Sequence, residues 1–220
     1  MAYSNSPLAT YKHLSPHHSG QRNHKIDTIT IHCLVGQASV EGIGEWLANP
    51  ETKASCNYGI GYDGKIGLYV EEKNRSWCSS SGSNDHRAIT IEVASDTSSP
   101  YRVNDAAMES LVNLLTDICQ RNGIKELLWK GDKSLIGQID KQNMTVHRWF
   151  ANKSCPGEYL YNRHSEIASA VNKRLAQGTE TQSDEWYRVQ VGAFRVKSNA
   201  ENLVKKLKSQ GYSDAFIVEG

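Results

Sequence analysis

Apolar and polar positions alternate over four short stretches in the first half of the chain, Thr28–Leu34, Asn57–Gly61, Lys65–Val70 and Ala88–Ala94. Runs of this length and pattern predict β-strands with one face turned to a core. The second and third are joined through Tyr62-Asp-Gly-Lys65, whose Asp-Gly pair predicts a tight hairpin turn. In the last run Ile89, Ile91 and Val93 share one face while Thr90 and Glu92 share the other. That parity turns Glu92 away from the isoleucines, so it can point into a cleft.

A spacing of three and four predicts helices over Val40–Ala48, Asp105–Arg121 and about Glu158–Ala176. In the middle one Met108, Leu111, Val112, Leu115, Ile118 and Cys119 form one stripe, with Asn104 placed to cap its start and Gly123 to end it. Strands interleaved with helices, plus irregular stretches such as Trp129–Met144, predict an α/β domain with a mixed central sheet flanked by helices. Residues 1–25 are polar, with His13, His17, His18 and His24 among Ser, Pro, Gly and Gln, and predict an irregular, solvated arm. Residues 176–185 hold three acids and no base among Gly, Thr, Ser and Gln. They predict a linker, which sets a main domain over 1–175 and a small unit over 186–220. In that unit Trp186–Phe194 reads as a strand, Ser198 and Glu201 as a capping box, Ala200, Leu203, Val204 and Leu207 as a helical stripe, and Ala215–Val218 as a second strand. This βαβ unit carries six basic against three acidic residues.

Composition narrows the class. The formal net charge of +1 gives no global pull toward nucleic acid or a membrane surface. No apolar run approaches the ~20 residues that cross a bilayer. The opening Met-Ala-Tyr-Ser-Asn-Ser-Pro-Leu lacks the basic-then-apolar layout of a signal peptide, so synthesis in the cytoplasm and later release are expected. Cys33, Cys56, Cys78, Cys119 and Cys155 are odd in number and irregularly spaced, which predicts reduced thiols rather than a disulfide framework.

The chemistry concentrates in Thr145-Val-His-Arg-Trp-Phe-Ala-Asn-Lys-Ser-Cys-Pro-Gly157. His147 stands eight positions before Cys155, and Cys-Pro-Gly predicts a turn that brings the thiol back toward the imidazole. His32 ends the first strand. Two imidazoles and one thiolate suit zinc, and three protein ligands leave a fourth tetrahedral position open, as in hydrolytic sites. Each residue alone is more often a hydrogen-bonded or surface side chain than a ligand, and their joint spacing brings the two readings level.

His32 on a strand, Ile89-Thr-Ile-Glu92 on a later one, and His147, Lys153 and Cys155 together resemble the zinc-dependent N-acetylmuramoyl-L-alanine amidase family of phage lysins and autolysins, related to peptidoglycan recognition proteins. The resemblance covers about residues 25–175 and is sharpest to clostridial endolysins and autolysins in Ser55-Cys-Asn-Tyr-Gly-Ile-Gly61 and Trp149–Gly157. It implies zinc held by His32, His147 and Cys155, and hydrolysis of the amide between N-acetylmuramic acid and L-alanine of bacterial peptidoglycan. It also implies Glu92 as general base and Lys153 as the cation beside the oxyanion. Trp77 resembles a family position lining the cleft. Where relatives carry a functional tyrosine this chain has Cys56, and Tyr58, two residues on, is the candidate to reach the substrate from the same strand face.

The unit from Tyr187-Arg-Val-Gln-Val-Gly-Ala-Phe194 onward looks like the first half of a sporulation-related repeat domain, which binds glycan strands. The missing half predicts either a shortened form or a homodimer in which two halves complete one sheet. Two other functions compete with the amidase. A zinc-free wall-binding module would dispense with Cys155, and a stem peptidase would need another motif such as His-Glu-x-x-His, which the chain lacks.

Overall fold

All six residues of Thr28–Cys33 are buried, which requires cover on both sheet faces, and the chain meets this with helices on either side. The computed structural model describes residues 3–178 and 190–218. In order these form β1 (Tyr11–Lys12), β2 (His18–Gln21), β3 (Thr28–Cys33), α1 (Val40–Ala48), β4 (Tyr58–Ile60), β5 (Ile66–Leu68), β6 (Asn74–Ser76), α2 (Gly82–Arg87), β7 (Ala88–Val93), α3 (Asp105–Asn122), β8 (Met144–Thr145), α4 (Gly157–Gly178) and α5 (Lys197–Ser209). The chain divides into two units between residues 179 and 180.

The main sheet runs β1-β5-β4-β7-β3-β8. The pairs β3–β7, β3–β8, β4–β7 and β1–β5 are parallel, while the β4–β5 hairpin is antiparallel. Ile29, Ile31, Ile89, Ile91, Val93, Tyr58 and Ile60 lie in one buried cluster with Leu111, Leu115 and Ile118 of α3 and Leu160, Ile167 and Val171 of α4. The opposite face carries Thr30, His32, Thr90 and Glu92, with His32 level with Glu92 and Glu92 level with Gly59 in the register. On this face a Cβ on Gly59 would stand 2.7 Å from the Tyr69 ring and 3.2 Å from Ile43 of α1, so glycine lets that helix approach. The helix boundaries follow local chemistry. Asn104 accepts the Ala107 amide at the start of α3, and Gly123 ends it in the left-handed region at φ +68°.

Three expectations need correction. The arm expected over 1–25 is not irregular throughout its described part, since β1 extends the main sheet and β2 pairs antiparallel with β6. His17 is buried, its Nε2 2.9 Å from the Asn49 carbonyl, so that histidine is structural rather than solvated. In the second unit the helix begins at Lys197 with Val196 as its cap residue, so the expected Ser198–Glu201 capping box lies inside the helix. Residues 190–194 and 215–218 form no strand. The rest of the expected strand, 186–189, lies outside the described residues. Short strands need neighbours to hold their hydrogen bonds, and among the described residues of this unit only a helix is formed.

Candidate metal centre

Parallel strands deliver their loops to one end of a sheet, and a ligand site in an α/β fold forms beyond the carboxyl ends. His32 comes from the end of β3 and Glu92 from the end of the adjacent β7. His147 opens a one-turn 3-10 segment, His147–Trp149, just after β8, and Cys155 precedes α4. The turn is closed by the Arg148 amide donating to the Cys155 carbonyl at 3.1 Å, while the Arg148 guanidinium donates to the Ser154 carbonyl and to Glu158, both at 2.7 Å. Trp149 stacks flat on Trp129 with ring centroids 5.1 Å apart. His147 and Cys155 are thus fixed in one loop by backbone, ion pair and aromatic packing.

The three side chains converge. Cys155 Sγ lies 3.3 Å from His32 Nδ1, the two imidazole centroids are 5.2 Å apart, and the donor atoms of His32, His147 and Cys155 fall within 4.8 Å of one another. Glu92 Oε1 is 3.9 Å from His32 Nδ1 and Cys78 Sγ is 3.8 Å from Glu92 Oε1. His32, Cys78 and Glu92 form a second group of donors that shares His32 with the first.

Burial and close neighbours act against charge on each of these donors. Burial pushes His32 down to about 3, with His147 adding to the effect, so its imidazole is neutral. His147 is lowered by burial and then by the Lys153 ammonium. Burial pushes Glu92 up to about 8 although its side chain is 15% exposed. Cys155 is raised first by a hydrogen bond with Cys33, then by burial and the Glu92 carboxylate. Neutral imidazoles are the form that binds metal, and a bound cation reverses the penalty on carboxylate and thiolate. His32 Nε2 and Glu92 Oε2 are buried without a hydrogen-bond partner. Two nitrogen donors and one sulfur donor fit a zinc ion.

The remaining candidates divide. Lys153 is exposed on the loop between His147 and Cys155. Trp77 is 36% exposed, with its indole donating to Ser19 at 2.7 Å and its ring 5.7 Å from that of His17. Tyr58 does not reach this centre. It is fully buried, its hydroxyl donates to Glu72 at 2.7 Å, and it receives the Ser6 amide at 2.7 Å. Parity from Cys56 fails because β4 begins only at Tyr58. Cys56 packs with Ile43, Leu47 and Tyr69, whereas Tyr58 packs on the α3–α4 side.

Several residues of the site gave no signal in the sequence. The loop Cys78–Ser81, the buried pair Asn84 and Asp85, and the threonines Thr30 and Thr145 join through hydrogen bonds that only the folded chain brings together. A polar run ahead of a strand is the one trace they leave.

An α/β sheet thus carries at its carboxyl end a His-His-Cys cluster, with a carboxylate beside it, that could hold a metal ion. The chain belongs to the N-acetylmuramoyl-L-alanine amidase family, whose model matches residues 22–158, and residues 168–219 match the SPOR domain. Among solved structures it is similar to a mutant endolysin from Bacillus subtilis, with 18% identity, a TM-score of 0.55, and coverage of 73% of this chain and 97% of that one. It is also similar to the hydrolase AmiA of Staphylococcus aureus in complex with its ligand, at 14% identity, a TM-score of 0.52, and coverage of 77% and 84%. The amidase LysC from Clostridium intestinale aligns at 16% identity with a TM-score of 0.50, over 74% of this chain and 96% of that one. At such identities the likeness shows the shared fold. No curated relative matches the chain in sequence. Family membership makes the protein a peptidoglycan hydrolase, an N-acetylmuramoyl-L-alanine amidase joined to a SPOR-type unit. Among the described residues no helix is long and apolar enough to cross a membrane.

Proposed function

We propose that the protein cleaves the muramoyl–L-alanine amide with one zinc ion held by His32, His147 and Cys155. The observation that supports this most is the approach of their three donor atoms to within 4.8 Å, with Glu92 against His32. When bound at such a site, zinc lowers the pKa of a water to ~7 and polarises a carbonyl.

The side chains of the chain supply the rest. Glu92, as general base, takes the proton of the attacking water and then hands it to the departing alanine nitrogen. The burial that raises its pKa is offset by opposite charge nearby, which restores a carboxylate able to accept that proton. Lys153, on the exposed loop beside His147, offers its ammonium to the oxyanion of the tetrahedral intermediate. Trp77 presents a half-exposed aromatic face beside the cleft, suited to packing on a sugar ring or stem peptide. The SPOR-type unit, with its basic excess, holds the enzyme to the cell wall, where the substrate lies. The unit that ends with α4 acts as the catalytic domain and 186–220 as the wall-binding unit. The expected linker over 176–185 is shortened at its start, because α4 runs on to Gly178. Completion of that unit by a second copy predicts a homodimer, which light scattering of the full chain checks directly.

Digestion of purified cell wall tests the bond assignment. New L-alanine amino groups without new reducing sugars are expected, and their formation stops with a chelator and returns with zinc. New reducing ends would assign the cut to a glycosidic bond.

A further inference from the structure

Ser80 adopts a backbone φ of +61°, a region that non-glycine residues enter at a cost. Such conformations persist where the surroundings over-determine them, and here they do. Asp85, buried at the base of the loop, accepts the amides of Cys78 and Ser79 at 3.1 and 3.2 Å and the Ser79 hydroxyl at 2.5 Å. Asn84 beside it donates to Thr30 at 3.0 Å and to Ser79 at 3.1 Å, and accepts the Thr145 hydroxyl at 2.9 Å. Thr30 and Thr145 touch at 2.8 Å. Each stands two residues before a histidine of the cluster, His32 and His147. One buried polar framework therefore ties the loop to both histidine-bearing segments, and it sets the Ser80 Oγ 2.9 Å from His147 Nε2.

We propose that Ser80 is a positioning residue for His147, acting through this hydroxyl–imidazole contact. This rests on the metal-centre assignment above. A neutral imidazole carries one proton, on either nitrogen. When the Ser80 oxygen accepts the proton of Nε2, the lone pair sits on Nδ1, leaving that nitrogen free to ligate. The nitrogen that does not ligate normally donates to a fixed acceptor, and that contact selects the tautomer and ring orientation. The left-handed backbone thus falls on the same residue whose hydroxyl meets the ring.

Two variants separate this role from a folding role. Ser80→Gly removes the hydroxyl and relieves the backbone, while Ser80→Ala removes the hydroxyl and keeps the backbone strain. Zinc affinity of the full chain is measured by competition with a chromophoric chelator, the Tm of the metal-free chain by calorimetry, and the His147 tautomer by nitrogen-15 NMR of the metal-free chain. In the original protein the Nε2-protonated form dominates. Both variants mix the tautomers and weaken zinc binding by ~10–100-fold. The Tm of Ser80→Gly stays level or rises by ~2 °C. Unchanged zinc affinity and an unchanged tautomer in both variants would overturn the role of Ser80 alone. A loss of affinity that follows a fall in Tm would overturn it too, by making the contact merely structural. If the original chain itself binds no zinc at His147, the metal-centre assignment fails, and this inference with it.

Discussion

Acidification should weaken this fold through His164, a histidine of α4 behind the metal-bearing loop. His164 is fully buried, its Nδ1 donates to the Leu160 carbonyl at 2.7 Å, and its ring lies 4.4 Å from that of Trp129. Its Nε2 has no hydrogen-bond partner, so protonation would place an unpaired N–H and a full charge in the core, close to the Arg148 guanidinium. Burial first, then Arg148, pushes its pKa down from 6.5 to about 4. Between those values the unfolded chain binds a proton that the folded chain refuses. Stability from this group is therefore complete above pH 6.5 and is lost as pH falls, about 3 kcal/mol in full and about 2 kcal/mol between pH 7 and 5. His164→Phe keeps the ring against Trp129 and cannot titrate. Urea unfolding of the metal-free proteins at pH 7, 6 and 5 gives the comparison, because other groups titrate alike in both chains. The original protein should lose about 2 kcal/mol more than the variant over that range. Parallel losses in the two proteins would refute the argument.

Three further substitutions probe the site and its supports. Glu92→Gln should keep one zinc per chain by elemental analysis yet lose ~10²–10⁴-fold in kcat, since it removes the proton carrier and no ligand. Tyr58→Phe should leave kcat and KM unchanged while costing ~1–3 kcal/mol in urea unfolding, because buried Glu72 and the Ser6 amide each lose a hydrogen-bond partner. A large rise in KM would instead restore Tyr58 as a substrate contact. Asn84→Ala should cost ~2–4 kcal/mol, since Thr30, Ser79 and Thr145 are left with unmet hydrogen bonds in the core, and thermal unfolding with wall-lysis rates should show both stability and activity falling.

The sequence made some of this architecture legible and hid the rest for physical reasons. The period-two runs in β3 and β7 and the capped stripe of α3 are local signals, and each survives into the fold with its face assignment intact. Glu92 could be placed opposite Ile89 and Ile91 because parity is a property of the strand alone. Parity misled at Tyr58, where the strand starts one residue after the asparagine that breaks it, and Cys56 falls into another cluster. The two-residue strands β1 and β8 are set by partners across the sheet and have too few residues to show a period. His32, His147 and Cys155 were candidates from residue type and family resemblance, but their distances come from how the parallel strands end together. Ser80 and Asn84 left no pattern, because their meaning lies in contacts with residues more than fifty positions away.

The account stands on a single zinc ion shared by His32, His147 and Cys155, and anomalous scattering from crystals of active protein, recorded on either side of the zinc absorption edge, tests it most directly. One strong peak bonded to the two imidazoles and the Cys155 sulfur is the predicted result. Fully lytic protein with no peak there, or with the zinc held by other residues, would contradict it.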